Sequence, residues 1–212
     1  MNTYRLTTDM DPEIARWIGS GIPRALRGLT VDELDRIPAD AIKAAQQWLE
    51  GLPERQRINE HGQAANRSDY GQGLLITGDP GSGKSSLAVA VASDARRAYG
   101  MSLRYYELAE YVDDAKVLAG SKNELEEEEL GHLLYRSGAV KCAELLVLDD
   151  VGYERTTGSG YAQDKLARAL RGRHRDGLPT IVVTSLTGDE VTEKYSRALQ
   201  TFMAKSFARV LL

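Results

Sequence analysis

A lone cysteine, Cys142, among 212 residues has no partner within the chain and excludes a disulfide-stapled scaffold. No apolar run approaches the roughly 20 residues that a membrane-spanning helix needs, and the N-terminus lacks the pattern of a secretory signal. Both absences point to a cytoplasmic protein with no membrane partner. They also make Asn66-Arg67-Ser68 a chance match to the glycosylation pattern. Positive charge is not in excess either: 27 Lys and Arg against 31 Asp and Glu leave a formal net charge of −4. A surface dominated by positive charge is thereby excluded, so any nucleic-acid contact has to come from a local basic strip. No internal repeat is present. What is there is ordinary for a folded chain, with 42% hydrophobic and 27% charged residues. The length suits one well-buried α/β domain with a short appendage.

The first 70 residues read as helical and polar. Asp11-Pro12-Glu13 opens a short helix, and Thr30 with Glu33 has the spacing of a capping box for another. From Asp40 to Leu52, Ile42, Ala45, Trp48 and Leu49 recur at helical spacing, and Pro53 to Tyr70 reads as an exposed connection. Then strands and helices alternate. Strands are predicted at Gly73 to Thr77, Leu103 to Glu107, Glu144 to Asp150, Thr180 to Ser185 and the final FARVLL. Helices are predicted from Ser85 to about Gly100, from the second strand to about Leu118, from Tyr161 to His174, and from Glu190 to Met203. This order implies a parallel sheet of five strands with helices on both faces. It divides the chain into an N-terminal helical segment with its linker, residues 1–70, and a core, residues 71–212.

Between the first strand and its helix stands Gly78-Asp79-Pro80-Gly81-Ser82-Gly83-Lys84-Ser85, followed by Ser86. Small residues let backbone N–H groups approach an anion, and the helix start that follows favours negative charge. The motif predicts nucleotide binding, with Lys84 on the β- and γ-phosphates and the Ser85 hydroxyl on Mg²⁺. LLVLDD, a buried strand ending in two carboxylates, delivers Asp149 and Asp150 to the same edge of the sheet. Asp149 is placed to hold Mg²⁺ and Asp150 to polarise the attacking water. Asp150 is one methylene shorter than the glutamate many ATPases use, which predicts slow hydrolysis.

With their flanks these elements resemble the DnaC/IstB group of AAA+ ATPases, replicative helicase loaders and transposition helpers. The resemblance runs through GIPRALRGLT from Gly21, GLLITGDPGSGKSSLAVAVA, LLVLDDVGYER and DKLARALRGRHRDGLPTIVVTS, and ends near Tyr195-Ser196-Arg197. It implies a P-loop fold of AAA+ type and an ATP site between neighbouring subunits, hence a homo-oligomer in the ATP state. By family position Arg197 is the finger reaching the next protomer's γ-phosphate, and Ser185 stands where a polar sensor is usual. Ile22 and Pro23 fall where the family lines the adenine pocket. The same resemblance suggests a replicative helicase as partner. Residues 1–20, with Ile14, Trp17 and Ile18 on one helical face, either make that contact or pack on the body.

The family's loaders touch single-stranded DNA through a region matching Gly158-Ser159-Gly160-Tyr161. Ser159 and Tyr161 are the candidates there, with Tyr161 offering a stacking face and Arg168, Arg171, Arg173 and Arg175 offering cations. The acidic run Glu124 to Leu130 reads as a solvated helix face. A helicase loader is the favoured role, and a transposition helper is its nearest rival. A small-molecule kinase ranks lower, and a non-hydrolysing regulatory subunit remains a third alternative.

Overall fold

Three apolar pentapeptides, GLLIT, LLVLD and TIVVT, extend and pair because each can bury both of its faces, and LRYYE and FARVL, each partly exposed, pair at their edges. The computed structural model describes residues 19–58, 60, 62–65, 69–110, 112–113, 143–155 and 160–212. The strands are β1 (Gly73–Thr77), β2 (Leu103–Glu107), β3 (Leu145–Asp149), β4 (Thr180–Thr184) and β5 (Phe207–Leu211). They form one sheet in the order β2-β3-β4-β1-β5, parallel at every pairing. The α/β architecture read from the sequence is therefore the one observed. The strand predicted at Glu144 to Asp150 is shorter by a residue at each end, because Asp150 leaves it at φ 51°.

Side chains alternate between two cores, as the twofold repeat of a strand requires. On one face Leu74, Ile76, Leu145, Val147, Ile181 and Val183 meet helix α3 (Lys84–Tyr99). Leu87 to Ala92 in that helix are all fully buried, and three of those six are alanines, which let the helix lie close to the sheet. Each buried Leu or Val contributes about 1.5–3 kcal/mol of transfer free energy. On the other face Leu75, Leu146, Leu148 and Val182 meet Leu166, Ala169 and Leu170 of α4 (Tyr161–Arg175), with Val191, Leu199 and Met203 beside them.

The N-terminal segment covers the α3 face. Helix α1 (Ala39–Glu50) buries Ala41, Ala45 and Trp48, and the Trp48 indole N–H donates to the Gln72 carbonyl at 3.2 Å. The Thr30–Glu33 box forms as expected, with the Thr30 N–H donating to Glu33 Oε2 at 2.8 Å, but it starts a single 3-10 turn, Val31–Glu33. The Val31 N–H then donates to Asp94 Oδ2 on α3 at 3.1 Å. Helix α2 (Leu52–Gln56) follows directly, with Pro53 in its first turn.

One predicted helix is in fact two. Between β4 and β5 run α5 (Gly188–Lys194) and α6 (Arg197–Ser206). Each half has its own cap: Thr187 forms a box with Glu190, and the Ser196 hydroxyl accepts from the Leu199 N–H at 3.1 Å. Helical periodicity runs through the break, so only the capping serine betrays it. The early helix with Ile14, Trp17 and Ile18, the acidic run from Glu124, Asn66-Arg67-Ser68, Cys142 and Ser159 all lie outside the described residues.

Candidate functional site

The loop after β1 turns tightly into α3. Gly81 and Gly83 hold φ of 80° and 94°, a region that side chains disfavour. A Cβ at Gly83 would also stand 2.5 Å from the Ile37 methyl, so the N-terminal segment braces the loop from behind. Lys84 is the first residue of α3 and only 7% exposed; its Nζ donates to the Asp79 carbonyl of the same loop at 2.6 Å. The Ser82 hydroxyl is buried with no hydrogen-bond partner. Ser85 and Ser86 are half-buried in the first turn of the helix, while Asp79 and Pro80 are exposed. One short loop thus brings together the N–H groups of a helix start, an ammonium and an unsatisfied hydroxyl, a set suited to an anion.

Opposite them, Asp149 ends β3 at 1% exposure. Both of its oxygens accept hydrogen bonds: the Tyr105 hydroxyl donates to Oδ2 at 2.6 Å, and the Asp150 N–H donates to Oδ1 at 2.8 Å. Tyr105 comes from β2, whose last residue Glu107 pairs with Asp149 in register. Neither Tyr105 nor Glu107 was visible as a site residue in the sequence, because the β2–β3 pairing brings them there from across a long separation. The Glu107 carboxyl is held above its ordinary pKa, by lost hydration first and then by Glu110, Asp150 and Asp149.

Asp150 sits exposed beside this pair and is the one non-glycine residue with positive φ among those described. Lost hydration raises its pKa most, Asp149 raises it further, and Lys84 opposes both. The opposing effect of Lys84 places loop and strand end within electrostatic reach of each other. A carboxyl whose pKa rises on folding favours the native state at low pH, and that contribution is lost as pH climbs through the native value. Asp150→Asn is therefore expected to raise the melting temperature at pH 7, with the gain shrinking towards pH 4. Asn also accepts the positive φ. Thermal melts of both proteins across that range check it.

Strand β4 lies between β1 and β3, so its end separates the loop from Asp149. Thr184 is fully occupied there: its hydroxyl donates to the Val151 carbonyl and accepts from the Leu186 N–H. Ser185, the predicted sensor, follows half-buried and lines a cavity of about 290 Å³ with Gly78, Asp79 and Gln200. Ile22 is fully buried in the core of the α3 face, whereas Pro23 is half-buried.

Arg197 opens α6, exposed, and faces a surface hollow of about 640 Å³ together with Arg171, Phe202 and Lys205. Arg171 on α4 donates to the Ala198 carbonyl at 3.0 Å and lies over the Phe202 ring at 4.7 Å. Arg168 is exposed on the same helix. Tyr161 begins α4 half-buried, its hydroxyl buried without a partner and its ring 5.1 Å from Lys165 Nζ. Arg173 corrects the sequence reading. It is fully buried, donating to Thr180 Oγ1 and to the carbonyls of Ala143, Glu144 and Pro179, so it clamps β3 to β4 and is no surface cation.

The family model described as IstB-like ATP binding protein matches residues 51–191. No curated protein matches the chain. The crystal structure of the DnaC helicase loader aligns with a TM-score of 0.66 at 16% identity, over 90% of this chain and 99% of that one. DnaI aligns at 0.65 and 16%, over 90% and 94%. The replication initiator DnaA, bound to AMPPCP and single-stranded DNA, aligns at 0.61 and 15%, over 87% of this chain and 50% of that one. At such identities the likeness establishes a shared fold. Among the described residues no helix is long and apolar enough to cross a membrane.

Proposed function

The chain belongs to the IstB-like ATP binding proteins, an AAA+ family with the DnaC fold, and from that premise we propose that it binds ATP with Mg²⁺ between two copies of itself and hydrolyses it slowly. The observation that carries this reading is the convergence of Lys84, Asp149 and Asp150 on one edge of the sheet, where Lys84 and Asp149 act in opposite senses on the acidity of Asp150. The Gly78–Ser85 loop, with Ser86, takes the phosphates on its N–H groups, and Lys84 exchanges the Asp79 carbonyl for phosphate oxygens. Ser82 finds there the partner it lacks within the protein.

Ser85 and Asp149 hold the cation, an all-oxygen donor set suited to a hard divalent ion. When bound, Mg²⁺ supplies charge neutralisation on the phosphates. Asp150, exposed and raised in pKa, orients the attacking water and accepts its proton. Ser185 hydrogen-bonds water or phosphate from the end of β4. Pro23 lines the base, with Ile22 fixing it from the core. Arg197, exposed at the start of α6, reaches the γ-phosphate of the neighbouring copy. Of the N-terminal segment, residues 1–70, the described part acts as a brace on the ATPase core of residues 71–212, through Ile37 behind Gly83.

In the cell this assembly serves as a helicase loader, forming on a replicative helicase and on single-stranded DNA; the likeness to DnaC and DnaI over nearly their whole lengths supports that role. A transposition helper is the second reading, favoured by the IstB-like description of the matching family. Arg168 and Arg171 contact the strand, while Tyr161, its ring beside Lys165, has less freedom to stack than its position in the sequence suggests. Fluorescence anisotropy with labelled oligonucleotides and ATP·Mg²⁺ distinguishes the two roles. The loader reading expects preference for single strands, and Arg168→Ala with Arg171→Ala flattens the logarithmic salt slope by about 1–2 units. Preference for duplex DNA overturns it in favour of the helper.

A further inference from the structure

Beyond the catalytic groups, the segment after β3 carries a buried carboxylate that none of the steps above uses. Glu154 is 2% exposed. Its Oε2 accepts from the Gly152 N–H at 2.9 Å, and its Oε1 accepts from the Tyr195 hydroxyl at 2.7 Å. Lys194 lies 3.4 Å from the same Oε1, and its Nζ donates to the carbonyls of Gly152 and Glu154 at 2.6 and 2.9 Å. Burying a carboxylate and an ammonium together is costly and yields little net stability, so a pair of this kind is better read as fixing one arrangement over others.

What it fixes is the geometry of two elements that carry separate functional groups. On one side is the turn Asp150 to Tyr153, closed by the Tyr153 N–H on the Asp150 carbonyl at 3.1 Å. Glu154 holds that turn through Gly152, one residue short of its end. On the other side is the corner between α5 and α6. Tyr195 is the cap of α5, Ser196 caps α6, and Arg197 is the first residue of α6. Two peptide bonds separate the Tyr195 hydroxyl's own residue from the guanidinium that faces outward. The break in the helix, which periodicity alone did not reveal, is thus the place where the loop from β3 is pinned.

We propose that Glu154, with Tyr195 and Lys194, is a positioning latch that locks the Asp150 turn to the α5–α6 corner, so that the water-orienting carboxylate of one site and the arginine offered to the neighbouring site are set together. The latch rests on the intersubunit reading of Arg197 and adds to it a route by which the state of one nucleotide site is felt at the next. Glu154 and Tyr195 are positioning residues; neither touches nucleotide.

Two measurements on the full chain test it, both using Tyr195→Phe. The first needs no nucleotide: amide exchange at Gly152, bonded to Glu154, and at Leu199, bonded to Ser196, is expected to accelerate together in Tyr195→Phe. Acceleration at neither, or at Gly152 alone, overturns the latch. The second compares Tyr195→Phe, Arg197→Ala and the double variant for ATP affinity and single-turnover phosphate release. Tyr195→Phe is expected to keep ATP affinity within about twofold and to slow release about tenfold, the scale of a small misplacement of a positioned group. In the Arg197→Ala background it adds less than it does alone, because part of its effect is transmitted through Arg197. Losses that multiply overturn the latch while leaving the intersubunit reading intact. Release unchanged by Arg197→Ala overturns the intersubunit reading and takes the latch with it.

Discussion

Lys84→Ala is expected to lower ATP affinity about 10- to 100-fold, since a hydrogen bond to a charged group contributes about 1.5–3 kcal/mol. Phosphate release at a saturating ATP concentration falls further, because the ammonium meets charge that grows on the β- and γ-oxygens as the bond breaks. The fold does not depend on this side chain: its hydrogen bond is to the Asp79 carbonyl within the same exposed loop. Melting temperature is therefore the control, and it stays close to wild type. Arg197→Ala gives the complementary phenotype. Arg197 opens α6 exposed, outside the loop proposed to hold ATP in its own subunit, so ATP affinity measured at low protein concentration is expected to be unchanged. Release from assembled protein drops about 10³-fold, the lower end for an arginine supplied in trans. Titration with a fluorescent ATP analogue and a phosphate-release assay separate the two effects.

Arg173→Met is expected to be the most destabilising single substitution among the charged residues described. The guanidinium is fully buried and donates to three carbonyls and one hydroxyl, drawn from the loop before β3 and from the start of β4. Methionine fills much of the volume but donates to none of them. Each orphaned buried acceptor costs about 1–3 kcal/mol, and breaking a buried charged network typically costs about 3–5 kcal/mol in all. A loss of that size is a large share of the 5–15 kcal/mol that holds an average domain. Urea denaturation followed by circular dichroism checks it: the midpoint falls sharply with the slope unchanged. Arg175→Met, at an exposed position on the same helix, is the comparison and should change stability by less than about 0.5 kcal/mol.

The contrast between these neighbouring arginines shows where sequence stops being legible. GDPGSGKS and LLVLDD announce themselves because their chemistry is local: glycines needed for a backbone path, a lysine at a helix start, carboxylates at the end of an apolar run. The parallel sheet follows from the alternation of short apolar strands with helices, whereas its strand order came only with the structure. Arg173 gives a fainter sign: helical spacing puts it on the face of Leu166, Ala169 and Leu170, but beside Arg168, Arg171 and Arg175 its charge reads as solvated, and the packing of α4 over the β3–β4 edge shows that it is buried.

Tyr105 and Glu154 were hidden for a similar reason. The bond from Tyr105 to Asp149 requires the register of β2 on β3, and the bond from Tyr195 to Glu154 requires a corner that hydrophobic periodicity reads straight through. Nearest-neighbour pattern finds the groups proposed to touch phosphate. The groups that hold those in place come from distant segments, and tertiary pairing alone identifies them.

The central claim is that a complete site takes its loop from one copy of the chain and its arginine from the next. Mixing Lys84→Ala protein with Arg197→Ala protein tests it most directly. Each is silent alone, but together they form interfaces in which an intact Gly78–Ser85 loop, on the Arg197→Ala copy, faces an intact Arg197 on the Lys84→Ala copy. Phosphate release that reappears on mixing, with a maximum near equal amounts of the two proteins, is the predicted result; two inactive proteins that stay inactive together under conditions where both assemble would contradict it.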